Sequence, residues 1–388
     1  MKKFLYIIGA SLIALGSCKG KSNSNHLVAS KDPETGLYEG DTSYFRQLTP
    51  EELQKYHDSA LAAAHRILGN NFNGQILVAK NGQIVFEEYD GIYNFQTKSP
   101  ITPTTSLHIA SISKTFTGMT VLHLWEEGRL SLDDTIQKFF PNFPYHGITI
   151  KMLLAHRSGL PNYLNFLDVD YNRRHKATNQ EVIDYMVTHV PPLQANPDKH
   201  FHYCNTNFMM LASIIEKVTG MTFPKYMKDS VFTPLGMMHT HIFEPKDTVN
   251  YVMTYNGNRP YPMDHLDVTY GDKNVYSTVR DLLQWDRSLY EHSFIKATTL
   301  KMAYEPQSNE RVSMHNYGLA WRMLFNKNGD SIIYHNGKWH GTNSVFTRLL
   351  QDTATIIVIG NRLDKRIYGA KAISSIFTGK PDYVIPVE

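Results

Sequence analysis

Ser111-Ile112-Ser113-Lys114 places a hydroxyl and an amine three residues apart. If the stretch opens a helix, positions i and i+3 share one face with Cβ atoms about 5–6 Å apart, so the Lys114 amine sits over the Ser111 hydroxyl. A serine hydroxyl becomes a useful nucleophile when a neighbouring base takes its proton. A lysine can be that base when burial and nearby cations lower its pKa. A helix N-terminus adds backbone N–H donors and a positive dipole end, which suit developing negative charge. Ser-x-x-Lys by itself is weak, because about one or two copies arise by chance in a chain this long. A second copy, Ser293-Phe294-Ile295-Lys296, is indeed present.

Further residues could complete a site. Tyr-x-Asn occurs twice, as Tyr163-Leu164-Asn165 and Tyr203-Cys204-Asn205, and the second precedes a clear helical pattern. A phenol beside the amine shares proton transfer, and Asn205 is placed to hold a substrate amide. The plainer reading of any such tyrosine is packing with its hydroxyl satisfied. The third piece is His335-Asn336-Gly337-Lys338-Trp339-His340-Gly341, between two β-rich runs. Gly337 would let a substrate lie along a strand edge. The backbone N–H groups of Lys338 and Ser111 would then form an oxyanion hole. The plainer reading is an Asn-Gly hairpin turn with His335 on a surface strand.

These residues need elements to hold them. Phe116, Met119, Val121, Leu122 and Leu124 predict a buried helix from Ser111 that stops near Gly128. Upstream, Thr49 and Pro50 read as N-cap and first position of another helix. The runs 75–79 and 84–89 flank Asn81-Gly82 and predict a hairpin. From about 115 to 290 the pattern is mostly helical with long loops, including helices at 181–189, 209–218 and 281–290 and a short one ended by Gly159. The end of the chain turns β-rich at 317–325, 332–335, 343–349 and 354–360, before a closing helix at 367–377. Strands at both ends with helices between predict an α/β (α+β) fold: one antiparallel sheet flanked by helices, with an inserted, mostly helical subdomain.

Composition narrows the partners. The chain has 388 residues, 42% hydrophobic and 19% charged, with net charge +3 and no basic block, so nothing calls for nucleic acid. Lys2 and Lys3 precede the apolar run Phe4 to Leu15 and then Gly16-Ser17-Cys18. The run is too short to span a bilayer and fits a signal segment. Leu15-Gly16-Ser17-Cys18 resembles a bacterial lipobox, which makes residues 1–17 a lipoprotein signal peptide and Cys18 the lipidated first residue, anchored in the cell envelope and facing the periplasm. Residues 18–45 are expected to be a flexible tether. Once Cys18 is acylated only Cys204 remains, so no disulfide forms within the chain. No His-x-x-x-His sits on a convincing helix, so neither metal nor cofactor is expected.

Ser-x-x-Lys, Tyr-x-Asn and His-x-Gly, in that order, resemble the serine β-lactamase and penicillin-recognising superfamily. The tyrosine form resembles its class C β-lactamase-related branch, which includes D-peptidases and esterases. The hairpin from Gly74 to Asn94 and the segment Leu153-Leu154-Ala155-His156-Arg157-Ser158-Gly159-Leu160-Pro161 are similar to the family's, as are 211–220 and 276–285. The resemblance covers about 45 to 380 and leaves Ser293 and Tyr163 as chance matches. It implies a catalytic domain at 46–380, with its α/β part at about 46–112 and 300–380 and its helical part at about 113–299. It also implies an acyl-serine mechanism in which Ser111 attacks, Lys114 and Tyr203 move protons, and Asn205, His335, Gly337 and Lys338 bind substrate: a small peptide, an ester or a β-lactam-like compound, taken by a monomer. Two positions depart from the pattern. His335 stands where class C β-lactamases carry lysine, which weakens recognition of a substrate carboxylate. Cys204 stands where serine is common and reads as a small packing residue.

Overall fold

The computed structural model describes residues 31–32, 35, 37–170, 175–246, 251–325 and 331–379. The expected signal peptide and Cys18 lie outside these residues. Among the described residues no helix is long and apolar enough to cross a membrane.

Seven antiparallel strands form the main sheet. They are β1 (Gly74–Lys80), β2 (Gln83–Asp90), β3 (His315–Tyr317), β4 (Arg322–Phe325), β5 (Ser331–Trp339), β6 (Thr342–Leu349) and β7 (Ala354–Gly360). Their spatial order is β3-β4-β5-β6-β7-β1-β2, so the two ends of the chain meet where β7 pairs with β1. Both faces are covered, which is why β1, β6 and β7 read as near-continuous buried runs. Successive side chains point to opposite faces. Ile76, Val78, Ile356 and Val358 accordingly pack against α1 (Pro50–Leu68) and the C-terminal turns, through Ala60, Ala64, Ile367 and Ile373. Leu77, Ile357 and Ile359 join the larger core on the other face. α1 starts on the expected signal: the Thr49 side chain accepts from the N–H of Glu52, and Glu52 returns a bond to the Thr49 N–H.

The larger core surrounds α2 (Ser113–Glu126), in which every residue from Ser113 to Leu124 is buried. Phe116 packs edge-on to Phe232, with ring centroids 5.4 Å apart, and 4.7 Å from Trp285. Trp285 lies on α5 (Val279–Tyr290), and that helix is pinned to the sheet by a buried ion pair. Arg348 of β6 donates through Nε to Asp286 at 2.5 Å, and Thr355 of β7 donates to the other carboxylate oxygen.

Several expectations need correction. The helix starts at Ser113; Ser111 lies in the single 3₁₀ turn Ala110–Ile112 before it. The run at 317–325 divides into β3 and β4, because Ala320 turns left-handed at φ 69° and donates its N–H to Leu154. The plainer alternative for Asn336-Gly337, a hairpin turn, does not hold. β5 continues through it to Trp339, and the chain reverses at His340-Gly341, with His340 at φ 48°. Tyr163–Asp170 forms a further helix, α3, beyond those read from the sequence. The closing segment is 3₁₀ over Lys365–Ser374 and α-helical only over Ser375–Thr378. A small three-stranded sheet of Leu107–His108, Val275–Ser277 and His241–Ile242 also forms, joining a segment just before the Ser111 turn to two from the expected helical part. Finally, the last part of the expected tether is docked: Tyr38 is 7% exposed, its N–H donates to the Ser293 carbonyl at 2.7 Å, and its hydroxyl donates to Glu126 at 2.8 Å.

Candidate active site

The turn that carries Ser111 is held from three sides. The Ile109 N–H donates to the Val275 carbonyl at 3.0 Å, and Ser344 Oγ of β6 donates to the Ile109 carbonyl at 2.9 Å. Behind Ser111, the Val275 N–H donates to Ser113 Oγ at 3.2 Å. Ala110 takes a left-handed conformation, φ 49°, which costs an alanine roughly 1–2 kcal/mol. Those bonds offset the strain, and the kink presents Ser111 half-buried at a cavity wall. β5 lies against the same turn. A Cβ on Gly337 would fall 2.3 Å from the Ile109 carbonyl oxygen and 2.2 Å from Ser344 Oγ, so only glycine permits that approach. β4 pairs with β5 only as far as Tyr334, so residues 335–339 run on beyond their neighbour, beside the Ser111 turn.

Lys114 lies beneath Ser111 and has no solvent exposure. Its Nζ donates to Ser111 Oγ at 3.0 Å, to Asn205 Oδ1 at 2.8 Å and to the Asp272 carbonyl at 2.7 Å. Three polar partners surround the amine and fix its position. Asn205 is the first residue of α4 (Asn205–Thr219), so the start of one helix meets the start of another across this amine. The Tyr203 ring is centred 5.0 Å from Lys114 Nζ.

What positions Tyr203 is His156, in the Leu-Leu-Ala-His segment. His156 is itself left-handed, φ 55°. Its Nδ1 accepts from the Cys204 N–H at 3.1 Å, its carbonyl accepts from the His202 N–H at 2.8 Å, and its ring lies 4.4 Å from that of Tyr203. Burial, reinforced by Lys114, keeps its pKa well below the usual histidine range, so it serves as a neutral acceptor.

Ser111, Tyr203, Asn205, Gly337 and Lys338 line one cavity of about 350 Å³. With Lys114 beneath Ser111, the structure therefore brings together every candidate catalytic and substrate-binding residue save His335. His335 is fully buried and does not line the cavity; Asn336 does. The His335 Nδ1 faces the Asn336 carbonyl at 2.7 Å and must carry the proton, which leaves Nε2 towards the Tyr317 hydroxyl at 3.5 Å. Burial, then Arg322 and Lys114, pushes its pKa well below the usual range. His335, expected among the substrate-binding residues, is thus a neutral side chain behind the cavity wall, with Asn336 beside it facing the cavity. Gly337 also differs from expectation: its open face receives Ile109 and Ser344.

Other wall residues carried no sequence signal. Tyr163 is not idle, since its buried hydroxyl donates to Asp272 at 2.9 Å and accepts from Lys273, which also reaches Thr269. Lys273 Nζ stands 4.8 Å from the Trp339 ring, and desolvation lowers its pKa. This buried group fixes Asp272, whose carbonyl holds Lys114. Asn165, its Tyr-x-Asn partner, is exposed. Ser293 and Lys296 lie outside the cavity. Cys204 is 1% exposed, donates to the Leu160 carbonyl at 3.3 Å, and has its thiol pushed up to about 11 by burial, as suits packing. Asp264, Asp267 and His340 cluster at ligand-like spacing, but one Asp267 oxygen already faces the Trp339 N–H and His340 Nε2, at 2.7 and 3.1 Å.

A serine sharing a hydrogen bond with a buried lysine, at the mouth of a mixed sheet-and-helix fold, defines the serine hydrolase class. The chain belongs to the Beta-lactamase family, whose profile matches residues 60–374. It is 28% identical over 337 residues to penicillin-binding protein 4* of Bacillus subtilis, covering 82% of this chain and 74% of that protein. Its fold is that of a penicillin binding protein from Bacillus halodurans, with TM-score 0.70 and 21% identity over 82% of this chain and 98% of that one. A D-stereospecific amidohydrolase from Streptomyces sp. shares it too, with TM-score 0.64 and 21% identity over 84% and 99% of the two chains.

Proposed function

We propose that this chain is a serine hydrolase that works through an acyl-serine on peptides or esters of D-amino acids. The carrying observation is the position of Lys114, bonded to Ser111 Oγ and Asn205 Oδ1 beneath a cavity walled by Tyr203. In this reading Ser111 Oγ attacks the substrate carbonyl, and its single proton passes to the Lys114 amine, which enters the step neutral and hands the proton on through the Tyr203 hydroxyl. The backbone N–H groups of Ser111 and Lys338 receive the oxyanion. The tetrahedral intermediate collapses, and the leaving amine or alcohol takes the proton. Water, deprotonated by the same pair, then releases the acyl group. Asn205 orients Lys114 and the substrate amide. The name of the Streptomyces relative supports D-configured substrates. His335 brings no fixed charge to the cavity, which favours this reading over efficient β-lactam turnover.

The enzyme is further proposed to be held at the cell envelope, periplasm-facing, by acylated Cys18, on the strength of Leu15-Gly16-Ser17-Cys18. Palmitate labelling of the full chain, lost in Cys18→Ala, tests that anchor.

A fluorophosphonate and a labelled penicillin test the chemistry. One of them labels the wild type covalently, and neither labels Ser111→Ala. Failure of both on folded wild type would make the protein a non-catalytic binder. Nitrocefin turnover above about 10 s⁻¹, the median for enzymes, would make it a β-lactamase.

A further inference from the structure

The strip of chain from Gly271 to Val275 is bonded to the nucleophile turn and to the first turns of α2. The Gly271 carbonyl accepts from Thr117 Oγ1 at 2.7 Å, the Asp272 carbonyl from Lys114 Nζ at 2.7 Å, and the Val275 carbonyl from the Ile109 N–H at 3.0 Å. The place of the amine beneath Ser111 therefore depends on what holds this strip from its other side.

That support comes from α3. The Asp272 side chain is 1% exposed, and its Oδ2 accepts from the Tyr163 hydroxyl at 2.9 Å. Its Oδ1 has no hydrogen-bond partner among the described residues, so the carboxylate depends on that hydroxyl. Lys273 Nζ stands 3.8 Å from the carboxylate and donates to the same hydroxyl and to Thr269. Tyr163 is tied at its main chain as well: its N–H donates to Thr206 Oγ1 at 2.8 Å, and Thr206 follows Asn205 in α4. One residue thus bonds to both segments that hold Lys114, to the Asp272 strip through its hydroxyl and to the start of α4 through its N–H. Tyr163 has no solvent exposure and does not line the Ser111 cavity, whereas the next residue, Leu164, does.

We infer that Tyr163 is a positioning residue for the proton transfer: with Lys273 it fixes the Asp272 carbonyl, and so sets where Lys114 Nζ stands against Ser111 Oγ. A buried carboxylate that loses its donor keeps its desolvation cost and must find another partner. Lys273 is the nearest, and as the side chain turns to it the peptide unit carrying the Asp272 carbonyl turns too. Displacing a reacting group by about 1 Å costs on the order of 100-fold. Tyr163 touches no substrate, so the loss falls on kcat and spares KM. The reaction is that of the hydrolase reading above, on which this role rests; the placement of the amine is a property of the folded chain.

Tyr163→Phe in the full chain keeps the ring and the Thr206 bond and removes only the hydroxyl. With the p-nitrophenyl ester of N-acetyl-D-alanine, kcat should fall about tenfold or more while KM stays within about threefold. Lys273→Met should act in the same direction, and the double variant should be little worse than the more impaired single one, because both work through one carbonyl. NMR of Lys114 Cε and Nζ in isotope-labelled chain reads the placement without turnover, the signal being assigned by its loss in Lys114→Arg. Tyr163→Phe should shift that signal. Tyr145→Phe, which removes a hydroxyl bonded to the Pro191 carbonyl outside the cavity lining, should shift neither the signal nor kcat. If Tyr163→Phe does not fold, Lys273→Met carries the same measurements. An unmoved Lys114 signal in the folded variant, or a loss confined to KM, overturns the inference. A signal that moves, in a protein whose wild type neither turns over the ester nor takes a fluorophosphonate, upholds the positioning and removes the hydrolase reading.

Discussion

Gly337→Ala tests whether strand β5 must touch the nucleophile turn. The substitution puts a methyl 2.3 Å from the Ile109 carbonyl oxygen, 2.2 Å from Ser344 Oγ and 3.1 Å from Ala110 Cβ. Ser344 Oγ can rotate, but the Ile109 carbonyl is backbone in a turn already bonded to β6 and to Val275. Ordinary van der Waals contact begins near 3.4 Å, so strand and turn must part by about 1 Å. The backbone N–H groups of Lys338 and Ser111, proposed to bind the oxyanion, lie on opposite sides of that seam. A misplacement of about 1 Å costs on the order of 100-fold in a positioned reaction, and overpacking of this kind costs about 1–3 kcal/mol of stability. The assay is the rate of fluorophosphonate labelling of Ser111, or kcat/KM on a p-nitrophenyl ester, beside a thermal melt. The reasoning predicts at least a tenfold loss that Ser344→Ala in the same chain does not fully restore, because the collision with Ile109 remains. A variant with wild-type rate and melting temperature would refute the claim that the strand needs glycine at this point.

Tyr203→Phe should keep the fold and slow acylation and deacylation by about 100-fold, the usual size of an acid–base contribution; unchanged single-turnover rates would remove Tyr203 from the chemistry. Asp286→Ala leaves Arg348 buried without its carboxylate and should cost about 3–5 kcal/mol in denaturant melts, whereas replacing both residues with apolar ones of similar volume should cost much less. His156 and His335 both have folded pKa values below the unfolded value of 6.5. Above pH 6.5 both states are neutral and these groups add no pH dependence. Below it the unfolded chain binds the extra protons, so stability falls by about 1.4 kcal/mol per pH unit for each histidine. Melts between pH 7.5 and 5.5 should show that slope, reduced in His156→Gln, and a flat profile would contradict the assignment.

Local rules made much of this protein legible. The cap at Thr49, the Asn81-Gly82 hairpin and the apolar runs of β6 and β7 are decided by neighbours in sequence, and so they could be read directly. The spacing of Ser111 and Lys114 likewise set their contact, one turn apart. What sequence could not fix was anything decided across the fold. Asn336-Gly337 carries a turn signal, yet β6 pairs through it and the Ser111 turn needs its missing side chain, so it became strand. His335 looked like a ligand by position, but the strand's alternation turned it inward against Tyr317. Asp272 and Lys273 had no motif to announce them, because a backbone carbonyl and a buried amine gain meaning only from what folds beside them. The residue types determined which reaction is chemically available, and the tertiary structure decided which groups face the substrate, because side-chain direction and burial follow from packing between segments far apart in the chain.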